Sequence, residues 1–417
     1  MQTNKSQLLI AGAGPAGLMA AIAAAGAGAK VTVIEKLPEA GVKLLATGGG
    51  RCNFTNTLGP DDFIRRFGEK SRFVAPALKA MDGRRLRLFF EELGVRSGSP
   101  DGFHVFPSSG SAKALRDALL RACRERGVEF RFNARVEGLQ TERGHITGLV
   151  TAGAFEHTPC VILASGGAGY PALGGGESGF NLALSAGHTI IPPCPALVPL
   201  VTREAWPKTL AGVTLPRVSI RLDVQQKTPR GAENGGLLFT HRGISGPAAL
   251  DISGRISRML SSREAVPVMI DLLPGLAIEA WQEGIEKHRT EHGAKTMLAT
   301  LGSDMPAALA GILLGLAEIP ADTRVSRLAR GQNRRLGLLI KNLPLAITGT
   351  EGFGKAMATS GGVALDEVDP GTMESKLTRG LFFAGEILDI DGPCGGFNLQ
   401  WAFSSGRLAA LAARIRR

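Results

Sequence analysis

The chain has no two cysteines close enough in sequence to act as a pair. Its five, Cys52, Cys123, Cys160, Cys194 and Cys394, are odd in number, widely spaced and include no C-x-x-C. That pattern argues against a disulfide framework and a zinc site, and it fits a reducing compartment. Histidine supplies no metal pattern either. His288 and His292 stand i, i+4, but the stretch reads HRTEH and lacks the glutamate of H-E-x-x-H, so a solvated helix face is expected and no metal. No apolar run reaches the roughly 18 residues of a membrane span. The start, MQTNKSQLLIAGAG, has no basic and apolar leader blocks and runs straight into a glycine turn. It reads as a strand, and the protein as cytoplasmic.

What the chain has in excess is glycine, 56 in 417 residues, a sign of many tight backbone approaches. With 44% hydrophobic and 20% charged residues it is an ordinary globule, long enough for two or three domains. Lys and Arg outnumber Asp and Glu by 48 to 37, a net charge of +11. Such a surplus suits a polyanionic partner and equally serves solubility.

Gln7 to Ala11 has the pattern of a short buried strand, GAGPAG follows, the alanine-rich stretch after it reads as a helix, and Val31 to Glu35 is a second strand. This unit suits a parallel sheet. SAKALRDALLRACRER places Ala114, Leu115, Ala118, Leu119 and Ala122 on one helical face, VEGLQTERGHITGLVTAG alternates like a hairpin turning near Arg143 and Gly144, and Val161 to Ala164 is a buried strand ending in SGG. After Ile191 the texture changes to proline and short alternating segments such as VSIRLDV and VPVMIDL, the mark of a β-rich insert. Helical patterns follow from Gly275, and strand-then-helix texture returns near the C-terminus. The expected division is 1–191, first part of an α/β Rossmann-like domain; 192–274, inserted β-rich domain; 275–337, helical subdomain; and 338–417, second part of the first domain.

Gly12, Gly14 and Gly17 form G-x-G-x-x-G between a strand and a helix, with Glu35 ending the next strand. The first glycine permits the turn, the second lets a pyrophosphate approach the backbone, the third allows helix-to-sheet packing, and the acid accepts from a ribose. A second glycine turn, ASGGAG from Ala164 to Gly169, and a third segment, GEILDIDGPCGGFN, extend the site along the chain. Distant segments converging on one long ligand favour FAD. No second G-x-G-x-x-G follows a strand in the insert, so the choice of nicotinamide stays open.

AGAGPAGLMAA, KLLATGGGRCNFTN, HRGISGPAAL and the long TSGGVALDEVDPGTMESK to QWAFSSG stretch resemble the bacterial HI0933-like (BaiN/RdsA-like) NAD(P)/FAD-dependent oxidoreductase family. The likeness spans nearly the whole chain, and GGGRCNFTN and TMESK are its most specific elements. The resemblance implies an FAD domain of the two-dinucleotide-binding type, interrupted by a β-barrel-like domain and a small helical one. It also implies reduction of an unsaturated substrate with NAD(P)H as reductant. That substrate is either a uridine of large-subunit ribosomal RNA, converted to dihydrouridine, or a bile-acid-like small molecule with a carbon-carbon double bond. A non-catalytic FAD-stabilised RNA- or partner-binding module is the competing class, and flavin-folate RNA methylation lacks a folate pocket and a thiol pair.

Within that resemblance TGGGRCNFTN crosses near the flavin. It lacks the G-K-[ST] ending of a phosphate loop. The expected cofactor set is Gly12, Gly14, Ala16, Gly17, Glu35, Lys36, Lys43, Gly49, Gly50, Arg51, Val136, Ala164, Gly166, Gly385, Glu386, Gly395, Gly396, Phe397 and Asn398. Lys43 reads equally as a phosphate partner or a solvated lysine. The helix opened by GGFNLQWAF is expected to aim its N-terminus at the flavin. Asp389 and Asp391 read as caps or as partners of ribityl hydroxyls. The catalytic set is Cys52, Asn53, His241 and Asn398. For Cys52 and Cys394, small buried filler is the stronger reading. Ser245 in GISGP reads as a helix N-cap. Arg324, Arg327, Arg330, Arg334, Arg335 and Lys341 occur without an acid between Thr323 and Thr350. The first three, spaced by three, would form a helical stripe facing either ribosomal RNA or an acidic neighbouring domain.

Overall fold

The computed structural model describes residues 7–223 and 232–414. They form two compact units: Met1–Pro195 with Ala356–Arg417, and Ala196–Lys355.

The first unit is built on a five-stranded sheet in the order Leu381–Phe383, Val161–Leu163, Gln7–Ala11, Lys30–Ile34, Glu129–Arg131. All four pairings are parallel, with Leu9 opposite Val161 on one side and Thr32 on the other. A parallel sheet is covered on both faces, which is why Leu8, Leu9 and Ile10 form an unbroken buried run. The first helix, Pro15–Gly26, starts directly after the first strand and packs on the C-terminal helix, Phe397–Arg414. Gly406 makes that approach possible: a Cβ there would lie 2.2 Å from the Ala16 carbonyl oxygen. The hairpin expected around Arg143 and Gly144 joins Val136–Glu142 to His145–Thr151, and both turn residues have positive φ. This suits a two-residue turn matched to strand twist.

The TMESK element is held inside this unit. Ser375 Oγ accepts from the N–H groups of Leu377 and Thr378 and lies 2.8 Å from His188 Nε2. His188 is buried, with Glu367 3.2 Å from its Nδ1. Burial lowers its pKa against the opposing pull of Glu367.

The second unit contains a closed six-stranded barrel: Leu200–Thr202, Gly243–Ser245, Glu233–Phe239, Thr214–Leu222, Val266–Asp271 and Leu343–Thr350. The helix Pro247–Leu260 touches every strand and buries Ala248, Ala249, Ile252 and Ile256 in the barrel core. The segments expected as separate β-rich and helical domains share that core, which runs on through Trp281, Ile285, Leu313 and Leu336. The return to the first unit, expected at residue 338, comes at Ala356 instead. LPLAITGT pairs with Val266–Asp271 and Leu200–Thr202 to close the barrel. Its strand pattern is legible alone, whereas its pairing partner is a long-range matter. Ser245 ends a barrel strand, and Gly246 stands between it and the helix. The expected N-cap role of Ser245 therefore falls to a residue with no side chain.

The six basic residues do not form one helical stripe. Arg324 precedes a short 3-10 turn, Val325–Arg327, and Arg330 opens the helix Arg330–Lys341. Arg335 is paired bidentately with Glu318 at 2.8 and 2.9 Å, and Lys341 with Asp271 at 2.6 Å. Arg324, Arg327, Arg330 and Arg334 are exposed and make no ion pair among the described residues.

Candidate functional site

The first unit contains a cleft enclosing about 1360 Å³ of space open to solvent. Three chain segments form its floor: the turn after the first strand (Gly12, Gly14, Ala16), the turn after Val161–Leu163 (Ala164, Ser165, Gly166, Gly167), and Gly385 with Glu386. A Cβ on Gly12, at φ +106°, would lie 2.5 Å from the Ala164 carbonyl oxygen, so the two turns meet backbone to backbone. A Cβ on Gly17 would lie 1.9 Å from the Gly12 carbonyl oxygen, which locks the helix to the turn. Gly14 differs, because a Cβ there meets nothing within 4 Å and would stand in the cleft. Gly14 is the N-cap of Pro15–Gly26, with no side-chain cap and no acid in the first turn. The helix N-terminus therefore keeps free N–H groups and an uncompensated partial positive charge.

Glu35 lines the cleft and is fixed by two backbone donors, Ala13 N–H at 2.7 Å and Leu37 N–H at 2.9 Å. Each carboxylate oxygen keeps a lone pair for a hydroxyl. Lys36 lies beside it; burial lowers its pKa, Glu35 opposes that and Arg135 adds to it. Val136 lines the same end of the cleft. At the other end Lys43 is neither solvated nor free for a phosphate. It pairs with Glu386 at 2.9 Å, both side chains being about three-quarters buried. Glu386 also accepts from Thr359 N–H, and Thr359 Oγ1 accepts from the N–H groups of Ala168 and Gly169.

These features fit a dinucleotide. Gly14 and Gly166 leave space that a Cβ would fill, and an uncapped helix N-terminus and a ribose-accepting acid stand on the same wall. Ser165 Oγ, also in the wall, is buried without a hydrogen-bond partner among the described residues.

Of the expected cofactor residues, Gly12, Gly14, Ala16, Glu35, Lys36, Lys43, Val136, Ala164, Gly166, Gly385, Glu386 and Asn398 line the cleft. Gly17, Gly49, Gly50, Arg51, Gly395, Gly396 and Phe397 do not. Within TGGGRCNFTN only Thr47 lines it. The loop is wound on itself, with positive φ at Gly48, Gly49, Gly50 and Cys52. Arg51 is turned away onto the Phe106 ring, 4.7 Å from its centroid. Phe397 is buried between Phe63 and Phe67. Gly396 sits so close to Thr55 that a Cβ would lie 2.6 Å from the Thr55 carbonyl oxygen. The GPCGG turn and the glycine loop are thus packed together beside the cleft.

Of the expected catalytic residues, Cys52, Asn53 and Asn398 belong to the first unit and His241 to the second. Cys52 is fully buried, and burial pushes its thiol up to about 12; it is filler and not a thiolate. Asn53 donates to the carbonyls of Thr55 and Val105 and so shapes the loop. Asn398 lines the cleft, but its amide is engaged in both directions by the backbone of Gly392. His241 belongs to the second unit, exposed in the tight turn Thr240–Gly243. Asp389 and Asp391 both pair with Lys70, at 2.9 and 2.8 Å. Sequence reasoning passed over Lys70, and also Ser165, Gly167, Arg135 and Thr359. The TSGG around Thr359 and the second glycine run, GGGESG, are the signals that would have drawn attention to that wall.

The HI0933-like protein Rossmann domain family matches residues 6–412. The chain is 35% identical over 412 residues to the 3-dehydro-bile acid delta(4,6)-reductase of Clostridium scindens, covering 98% of both chains. It is 31% identical over 406 residues to the ribosomal RNA dihydrouridine synthase of Escherichia coli (strain K12), covering 95% of both. The 3-ketosteroid delta1-dehydrogenase of Sterolibacterium denitrificans shares its fold at a TM-score of 0.54 and 14% identity, over the full length of both chains.

Proposed function

This chain belongs to the HI0933-like family of flavin-dependent oxidoreductases, and from that premise we propose that it reduces a carbon-carbon double bond conjugated to a carbonyl group. The two curated relatives differ in substrate size and agree in this chemistry. A 3-dehydro-delta(4,6) bile acid and a uracil ring each carry such a bond. The cofactor is FAD, held by Gly12, Gly14 and the first-turn amides at its pyrophosphate, by Glu35 at its ribose, and by the Ala164–Gly167 and Gly385–Glu386 segments along its length. When bound, it supplies two-electron chemistry at the flavin ring, with NAD(P)H as the external reductant. The Lys43–Glu386 pair and Ser165 order a wall of the cleft that would hold the cofactor.

Our reading of the substrate is a uridine of large-subunit ribosomal RNA, and the working compartment is the cytoplasm. The carrying observation is Arg324, Arg327, Arg330 and Arg334, exposed and without ion pairs among the described residues, on a chain of net charge +11. Unpaired arginines of this kind bind a phosphate backbone through released counterions. A small steroid-like substrate is the second reading, favoured by the 35% identity to the Clostridium scindens reductase.

The test begins with absorbance and mass identification of the bound cofactor. Anaerobic bleaching by NADH or NADPH follows, then reoxidation by ribosomal RNA fragments or by a 3-oxo-delta(4,6) steroid. Reoxidation by RNA and loss of dihydrouridine from large-subunit RNA on gene deletion are expected. Unchanged dihydrouridine content would sink the RNA reading, and reoxidation by the steroid alone would put the second in its place.

A further inference from the structure

The reduction proposed above needs a proton as well as a hydride, and within the first unit Cys52 is buried with a raised pKa while Asn53 and Asn398 are amides bonded to backbone. The first unit has four histidines in its described residues: His104, His145, His157 and His188. His188 is buried against Ser375 and Glu367. His145 sits at a hairpin turn, bonded to the Arg143 carbonyl, and His157 is on the small three-stranded sheet beside Phe155. His104 is placed differently.

It lies on the strand His104–Pro107, which pairs antiparallel with Thr55–Asn56 at the end of TGGGRCNFTN, Asn56 opposite His104. Asn56 donates to the Gly395 carbonyl at 2.8 Å, so the imidazole sits where the glycine loop and the GPCGG turn meet. A Cβ on Gly395, at φ +106°, would come 3.6 Å from His104 Nε2 and 2.9 Å from the Phe103 ring. Three residues on, Asn398 lines the cleft.

The ring is oriented from behind. Asp101 Oδ2 lies 2.5 Å from His104 Nδ1, while Oδ1 of the same carboxylate accepts from the N–H groups of Phe103 and His104. Three donors fix the carboxylate, and the carboxylate fixes the tautomer with hydrogen on Nδ1. Nε2 makes no hydrogen bond among the described residues. The side chain is 39% exposed, enough to exchange protons with solvent. Among the titratable or charged groups on elements packed around its strand, Arg51 is stacked on Phe106, Cys394 stands beside Gly395, and the helix Ala112–Glu125 brings Lys113, Arg116 and Asp117.

We propose that His104, oriented by Asp101, is the proton donor of the reduction. This rests on the function proposed above. The π bond of the substrate breaks as one C–H bond forms at the β-carbon from the hydride of the reduced flavin. A second forms at the α-carbon with the proton that leaves His104 Nε2. The imidazole, neutral after transfer and still bonded through Nδ1 to Asp101, is reprotonated from solvent. Asp101 is a positioning residue that holds the ring through Nδ1, as a carboxylate does behind a catalytic histidine elsewhere.

Two readouts on the flavin-loaded protein test this. In ¹⁵N-histidine-labelled protein, with the His104 signal assigned by its loss in His104→Gln, that signal is expected to move when dithionite reduces the flavin, because the charge and electronic state of a neighbouring ring change. A His104 signal indifferent to reduction overturns the proposal without any substrate being known. In stopped flow, His104→Gln is expected to bleach with NAD(P)H at the wild-type rate but to be reoxidised by the RNA fragment or the 3-oxo-delta(4,6) steroid about 100-fold more slowly. Asp101→Asn is expected to slow reoxidation by about tenfold. It should lower the limiting rate of reoxidation while leaving the half-saturating probe concentration within about twofold; a merely structural role would not give that split. His104→Gln reoxidised at the wild-type rate with the wild-type pH profile also overturns the proposal. Wild-type protein reoxidised by neither probe fails the function itself, and the His104 signal distinguishes that failure from this one.

Discussion

Two glycine-rich turns in the first unit invite comparison: GAGPAG after the first strand, and TGGGRCNFTN thirty residues on. In the first, each glycine answers a different steric demand. Gly12 meets a neighbouring turn, Gly17 meets Gly12, and Gly14 meets empty cleft. In the second, Gly48 would touch Asn53 N at 2.9 Å, Gly49 touches nothing, and Gly50 has no neighbour closer than 4.0 Å. These glycines serve the left-handed winding of their own loop. A count of glycines therefore reports sharp backbone, whereas their spacing between a strand and a helix reports what the sharp backbone is for.

The comparison can be broken most directly at Gly14. A Cβ at Gly14 meets no atom within 4 Å and the extended backbone there, φ −77°, accepts an L side chain, so Gly14→Val is expected to fold normally. Its flavin affinity should fall at least about 100-fold, roughly 2.7 kcal/mol, read by titrating apoprotein with FAD. A variant that keeps its flavin would show that the cleft is not the dinucleotide site. Next in size, Gly49→Ala should lose about 1 kcal/mol in denaturant unfolding, from placing a Cβ at φ +65°, while retaining flavin at wild-type affinity. If flavin is lost instead, the loop touches the cofactor after all. The smallest effect is expected at Cys52. With its thiol pushed up to about 12 and no exposure, it should resist alkylation in native protein at pH 8, checked by peptide mass. Cys52→Ala should leave the rate of NAD(P)H bleaching within about twofold.

The parts of the site that were legible in the sequence are those whose chemistry is local. G-x-G-x-x-G, the acid ending the next strand and the ASGG turn all declare themselves within a few residues, and all reach the cleft. The Arg143–Gly144 hairpin was legible for the same reason. What stayed hidden depends on partners distant along the chain. Lys43 finds Glu386 across 343 positions, and Lys70 finds Asp389 across 319. Nothing near Lys43 says that it will be neutralised. The strand Leu343–Thr350 was readable as a strand, but its membership of the barrel is decided by registry with Val266–Asp271 and Leu200–Thr202. Nothing in the sequence singled out His104. Only the folded Asp101 turn and the approach of Gly395 give it a direction.

The strands Ile190–Ala196 and Ala358–Val363 pair with each other as a separate two-stranded sheet, one just before the chain enters the second unit and one just after it leaves. Gly361 approaches Pro192 so closely that a Cβ would lie 2.5 Å from its carbonyl oxygen. Departure and return therefore share a seam, and the barrel with its helices is an insertion in the chain of an otherwise continuous frame. A short hairpin from Pro195 to Ala356 would satisfy the frame's connectivity. The same geometry leaves the connectivity of the first unit intact whatever the chain carries between Pro195 and Ala356.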